Sequence, residues 1–263
     1  HLESLTIRNG VGHPAYNFLN KKDVCIFTTH MKEPRGTIYN EFSKEFKVLD
    51  KLFEGVSLLG DYSQKTKDEI LAQGELLSVK LVSGLLNAKN IKALAVDSRE
   101  LIKTDGNFGN AKPIANLSKD NVKNFYKNSP DEVVKIVTGF IASNAQNETT
   151  TLGRNGSNYT AALISNYLDA EELQNYTHVN GIYTANPEMV EDAQKIRQLS
   201  FSEANELANF GTTVLHAKTI IPLVEKNINL RILNTFNSED EGTLITAKPN
   251  SKEVTSLSDL DNV

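Results

Sequence analysis

The 263-residue chain has no tryptophan, a single cysteine and two methionines. One cysteine, Cys25, excludes an intrachain disulfide framework and any zinc site built on cysteines, and it fits a reducing compartment. No window approaches 18 consecutive apolar residues, so no membrane-spanning helix is expected. The first twenty residues lack the basic-then-apolar pattern of a signal peptide, and a cytoplasmic location is expected. The first residue is His1 rather than Met, as in a processed or trimmed product. Excess positive charge is also absent. Lys and Arg number 28 against 33 Asp and Glu, a net charge of -5, which does not attract a polyanion, so nucleic-acid binding is not expected. Two motif sets are missing as well. There is no Gly-x4-Gly-Lys-Ser/Thr phosphate loop, and no His-Arg-Asp or Asp-Phe-Gly of a protein kinase.

What is present is an alternation of strand-like and helix-like segments. Val24–Thr29 reads as a buried strand. From Ser63 to about Asn90 the period becomes helical, with Ile70, Leu71, Gly74, Leu77, Leu81 and Leu85 on one face. Ala93–Val96 reads as a strand, 103–132 as a polar stretch, and Val133–Ala142 as another apolar strand. Thr160, Leu163, Ile164, Tyr167 and Leu168 form a helical stripe behind a Gly-rich turn at 153–156. Gly181-Ile182-Tyr183 reads as part of a loop ended by Asn186-Pro187. Ser200 and Glu203 have capping-box spacing ahead of a helix that runs to Gly211. Ile220–Glu225 reads as a helix and Ile228–Leu233 as a strand, with a linker or tail from 247 to 263. This order predicts an α/β protein with a mostly parallel sheet.

The densest chemical signal is the run Thr149–Thr160, placed between a strand and a helix. Two glycines turn the backbone so that its N–H groups face outward, and the following helix adds the positive end of its dipole. Arg154 brings a planar fork for a carboxylate or phosphate. The competing reading is an Asn-Gly turn that only links two elements, with Ser157 as N-cap. Glu75 follows Gly74 in mid-helix, where a glycine points to close backbone approach and the carboxylate suits an ammonium ion. Its competing reading is a solvated glutamate on a polar helix face. His216 reads as a packed or capping histidine rather than a metal ligand, and His13, His30 and His178 are scattered.

These residues resemble the aspartokinases. The match runs through Gln73–Ser78, Gly153–Ala162, Thr177–Pro187, Phe201–Gly211, Val214-Leu215-His216 and Gly242–Ile245, in that order. It covers about residues 50 to 246 and is closest to the kinase module of bifunctional aspartokinase–homoserine dehydrogenases. The resemblance implies the amino acid kinase fold, a three-layer α/β/α sandwich around a mostly parallel sheet, filling 1–246. It implies transfer of the γ-phosphoryl group of ATP, with Mg2+, to the side-chain carboxylate of L-aspartate, the first step toward lysine, threonine and methionine.

By the same resemblance Glu75 receives the aspartate ammonium and Arg154 its α-carboxylate, with Gly156 and Ser157 lining the pocket. Ser157 and Asn158 stand at the catalytic positions, and Thr177, His178, Gly181 and Tyr183 on the nucleotide-binding segment. No protein metal ligands are implied. A homodimer is implied, and a covalently linked homoserine dehydrogenase in the full gene product. The two small regulatory domains usual in the family do not fit in this length.

Several positions depart from the family pattern. The usual opening Lys-Phe-Gly-Gly is here His1-Leu2-Glu3-Ser4, ahead of Asn9-Gly10-x-Gly12. Ser-Asp is Ser157-Asn158, Thr-Asp is Thr177-His178, Asp-Pro-Arg is Asn186-Pro187-Glu188, and the lysine before Val-Leu-His is Thr213. The stretch 31–50 is shorter than the helical stretch of the family. These departures motivate two alternatives: a catalytically impaired aspartokinase-like binding or regulatory module, and another kinase of the fold acting on glutamate, carbamate or a nucleotide. Glu75 and Arg154 together favour an α-amino acid.

Overall fold

In the computed structural model the described residues are 37–60, 62–187, 189–209 and 216–249. The strand expected at Val24–Thr29, the opening His1–Gly12, His13, His30, Glu188, Thr213, Val214, Leu215 and the end of the tail lie outside them. The described residues fall into two compact units that divide between Thr160 and Ala161.

Among the described residues the first unit opens on α1 (Thr37–Leu59), so the shortened stretch is helical from Thr37 onward. Helix α2 (Gln64–Ala88) opens on Ser63, whose hydroxyl accepts from the Thr66 N–H at 3.2 Å. It closes at Asn90 in the left-handed region (φ 62), with the Ile91 N–H reaching back to the Leu86 carbonyl at 2.9 Å. Strand β1 (Ala93–Val96) follows, its first residue clamped by Asn87, which accepts from the Ala93 N–H and donates to its carbonyl. After a short α3 (Ser98–Leu101) comes α4 (Ala115–Asn128), in a stretch whose composition reads only as polar. Its buried face carries just Ser118 and Val122, too small a stripe to show as periodicity.

The single strand expected over Val133–Ala142 is two. β2 (Val134–Val137) pairs parallel with β1, and β3 (Ile141–Ser143) pairs antiparallel with β4 (Thr149–Thr151). The break falls at Gly139-Phe140, where Phe140 holds φ 68. Helix α5 (Gly156–Tyr167) begins where β4 and the glycine turn end. The face of α2 that packs hardest is not the leucine stripe either. Asp68, Ala72, Glu75 and Val79 are buried at helical spacing, whereas Leu71 is 43% exposed. No described atom comes within 4 Å of a Cβ built on Gly74, so the close approach expected there is absent among the described residues.

The second unit is built on a four-stranded sheet, in the order β5 (Glu172–Thr177), β9 (Asn229–Asn234), β10 (Thr243–Thr246), β8 (Gln198–Ser200). β5 and β9 are parallel, as are β10 and β8, while β9 and β10 are antiparallel. The short strands β6 (Ile182–Tyr183) and β7 (Lys195–Ile196) pair antiparallel, replacing the loop expected at Gly181–Tyr183. Helices α6 (Phe201–Asn209) and α7 (Ala217–Val224) supply the apolar cover. Leu230, Ile232, Ile245 and Leu199 from the sheet meet Ala204, Leu207, Ile220 and Leu223 from the helices in one buried cluster. The capping box forms as its spacing predicts: the Ser200 hydroxyl accepts from the Glu203 N–H at 3.2 Å, and the Glu203 carboxylate accepts from the Ser200 N–H at 2.7 Å. His216 caps α7 by accepting from the Lys218 N–H at 3.2 Å. Among the described residues no helix is long and apolar enough to cross a membrane.

Candidate active site

The glycine turn in the first unit leads from β4 into α5. Beyond Thr151 the chain runs through Leu152 to Gly153, and the Gly156 N–H closes back on the Gly153 carbonyl at 3.0 Å. Asn155, at φ 57, occupies the left-handed region that asparagine tolerates, and its carbonyl accepts from the Tyr159 N–H at 3.1 Å. Ser157 therefore lies inside the first turn of α5 rather than at its N-cap. It stands among the N–H groups that a helix start leaves open to a ligand.

The helix start is pressed against the break between β2 and β3. A Cβ on Gly139 would lie 2.7 Å from the Ser157 Cβ, and one on Gly156 would lie 2.7 Å from the Phe140 ring, so only glycine fits at either place. The kink is pinned on both sides. The Phe140 N–H donates to the Thr160 hydroxyl at 3.1 Å, and its carbonyl accepts from the Leu152 N–H at 2.9 Å.

A cavity of about 440 Å³ opens beside this junction, lined among others by Lys67, Asp68, Phe140, Arg154, Ser157 and Asn158. Arg154 is exposed at it, while Ser157 and Asn158 are buried. Asp68, which no motif or spacing singles out, is 1% exposed and accepts three hydrogen bonds. They come from the Thr151 N–H at 3.0 Å, the Thr151 hydroxyl at 2.9 Å and the Gly109 N–H at 2.8 Å. Its charge is thereby spent on the wall, and Lys67, Arg154 and the α5 N-terminus leave the cavity suited to an anion.

Glu75 is not on a solvated face. It is 3% exposed, and the backbone N–H of Gly139 lies near enough to favour its charged form. Among the described residues its Oε1 has no hydrogen-bond partner. Burial pushes its pKa up to about 8, against a smaller lowering by the Gly139 N–H. A buried carboxylate with an oxygen left open among the described residues can take a hydrogen bond from a cation, and an arginine can donate one to a carboxylate.

The remaining candidate residues lie in the second unit. Thr177 is buried at the C-terminal end of β5, its hydroxyl accepting from the Val179 N–H at 2.9 Å, and His178 next to it is exposed. Gly181 sits against Thr243, whose hydroxyl accepts from the Ile182 N–H at 2.8 Å, and Tyr183 is half-buried in β6. Asn234, at the end of neighbouring β9, donates to the Asn180 side chain at 2.7 Å and accepts from the Phe236 N–H at 2.9 Å. These residues gather at the carboxyl ends of two parallel strands, where α/β sheets commonly bind nucleotides. Asn180 and Asn234 are additions that only strand pairing reveals. Among the described residues no group of three or more His, Cys, Asp or Glu side chains converges as a metal site.

A mixed α/β chain whose glycine turn opens a helix beside an anion-suited cavity, with paired strand ends of the kind that bind nucleotides besides, belongs to the α/β class of small-ligand folds. The chain belongs to the amino acid kinase family, whose model matches residues 26–234. It is 35% identical over 206 residues to lysine-sensitive aspartokinase 3 of Escherichia coli, covering 76% of this chain and 46% of that protein. It is 33% identical over 213 residues to the bifunctional aspartokinase/homoserine dehydrogenase of Buchnera aphidicola, covering 81% of this chain and 26% of that protein. Among solved structures, E. coli aspartokinase III in complex with aspartate and ADP (R-state) superposes with a TM-score of 0.79 at 30% identity, over 95% of this chain and 56% of that one. The fold is that of the amino acid kinases. The chain thus spans about a quarter to a half of the curated relatives it matches.

Proposed function

We propose that the chain is the kinase module of an aspartokinase, transferring the γ-phosphoryl group of Mg-ATP to the β-carboxylate of L-aspartate. The observation that carries this reading is the buried carboxylate of Glu75, its Oε1 without a partner among the described residues, on the helix whose Lys67 and Asp68 line the cavity that holds Arg154. Aspartate enters with its ammonium at Glu75 and its α-carboxylate at Arg154 and the α5 N-terminus, with Gly156 and Ser157 lining the pocket and Asn158 beside them. The acceptor is already ionised at neutral pH, so no side chain needs to deprotonate it. Its oxygen attacks the γ-phosphorus, the bond to the bridging oxygen of ADP breaks, and aspartyl phosphate and ADP result. Positioning and charge neutralisation carry most of such a reaction, which matches a site of one arginine and helix N–H groups. Thr177, His178, Gly181 and Tyr183 are assigned to the nucleotide. Magnesium enters as part of the substrate, since Mg2+ keeps several waters and is held largely through phosphates.

The similarity to aspartokinase III crystallised with aspartate and ADP supports this substrate pair. The Buchnera relative supports a longer gene product that carries a homoserine dehydrogenase, and we assign the whole protein to a homodimer in the cytoplasm, serving amino-acid biosynthesis. The test is incubation with aspartate, Mg-ATP and hydroxylamine. Aspartyl hydroxamate is expected, with Arg154→Ala raising KM for aspartate by about 100-fold through loss of a charge-assisted pair. Absence of hydroxamate above background sinks the reading. Aspartate bound without turnover would instead mark a binding module.

A further inference from the structure

We infer that Phe140 is a positioning residue of the amino-acid site, and that its backbone kink, rather than its ring, is what aligns the two halves of that site. The inference rests on the aspartate reading above. A phenylalanine at φ 68 is an outlier, because the side chain of an L-residue crowds the following carbonyl there. Such a conformation persists only when its surroundings over-determine it, and it concentrates at functional sites.

Three sets of contacts hold it here. The Phe140 N–H is fixed on the Thr160 hydroxyl at 3.1 Å, and that hydroxyl donates in turn to the Gly156 carbonyl at 3.0 Å. The Phe140 carbonyl is fixed by the Leu152 N–H at 2.9 Å, just before the Arg154 turn. The ring and Cα press on Gly156, at 2.7 and 3.1 Å from where a Cβ would stand.

The consequence lies one residue upstream. The same kink follows β2 and sets the Gly139 backbone N–H near the carboxylate of Glu75, while Gly139 itself abuts Ser157. The receptor for an ammonium and the turn that carries Arg154 are therefore registered on one another through a single backbone bend. An extended residue at 140 would release both at once. The nucleotide segment Thr177–Tyr183 shares none of these bonds.

The inference is tested by calorimetry on the full chain with aspartate and, separately, with Mg-ADP, alongside thermal unfolding. Phe140→Val, whose branched side chain resists positive φ, is expected to weaken aspartate by about tenfold or more, whereas Phe140→Gly, which accepts the bend without the ring, weakens it by about threefold at most. Because Phe140→Val is the variant at risk of misfolding, Thr160→Val is the second probe. It is expected to weaken aspartate by about tenfold, with Thr160→Ser restoring most of the loss. Mg-ADP affinity is expected to stay within about twofold in all of them. Equal weakening of both ligands, or Phe140→Gly losing as much as Phe140→Val, or Thr160→Val leaving aspartate affinity intact, overturns the inference while leaving the aspartate reading in place. Failure of the unsubstituted protein to bind aspartate overturns that reading and this inference together.

Discussion

At the scale of single residues, Glu75 and Asp68 show how two buried carboxylates on one helix take opposite roles. Asp68 is saturated with donors, and Glu75 keeps an oxygen open. The difference predicts different phenotypes. Asp68→Ala strands the Thr151 and Gly109 donors in the wall, and urea unfolding is expected to show a loss of about 2–3 kcal/mol. A loss below about 0.5 kcal/mol, the range of surface substitutions, would contradict the role assigned to it. Glu75 should behave in the reverse sense. Its pKa rises from 4.5 to about 8 on folding, so between those values the folded state holds a proton that the unfolded state has released. Stability is therefore complete below about pH 4.5 and falls as pH rises toward 8, with a slope on the order of 1 kcal/mol per pH unit. Glu75→Gln keeps the neutral form at every pH. It is expected to flatten that dependence and to raise the melting temperature at pH 8, while weakening aspartate about 100-fold. A variant as pH-dependent as the parent would show that another group sets the slope.

At the scale of elements, the legible pieces were those whose signals are local. The capping box at Ser200 and Glu203 forms with both reciprocal hydrogen bonds, because four adjacent residues contain everything it needs. Ser200→Ala is expected to lose about 1 kcal/mol in chemical denaturation, and an unchanged midpoint would mean that α6 is held by packing alone. The extent of α2 was readable from its period and from Ser63, but its buried face was not. Its leucines mark an apolar stripe, whereas Asp68, Ala72, Glu75 and Val79 are what the neighbouring strands cover. Gly74, read as a point of close approach, faces no described atom within 4 Å. Gly74→Ala is thus expected to stabilise the protein by up to about 1 kcal/mol, through helix propensity and a less flexible unfolded chain. Destabilisation would reveal a neighbour at that position. Helix α4 and the break between β2 and β3 left no local trace, since one buries little apolar surface and the other is imposed by contacts from distant residues.

At the scale of the whole molecule, the candidate chemistry is divided between two units, each with its own core. The anion-suited cavity and Glu75 belong to the first, and the strand edge with Thr177 and Asn234 to the second. Kinetic effects are expected to divide in the same way. Asn234→Ala, which removes the partner of Asn180 at the strand edge, should raise KM for ATP by about tenfold and leave KM for aspartate within about twofold. Equal changes in both constants would mean that the edge does not serve the nucleotide alone.

The sequence by itself determined the α/β class and the family resemblance, and it placed the Gly-rich turn at a helix start, since such a segment encodes its own geometry within a few residues. It identified Glu75 and Arg154 as types suited to an amino acid, yet by residue type alone it favoured a solvated reading of Glu75. Only the tertiary structure decided that question. The charge of a carboxylate depends on the medium around it, and that medium is supplied by Gly139 and the strands that close over α2, none of them near Glu75 in the chain.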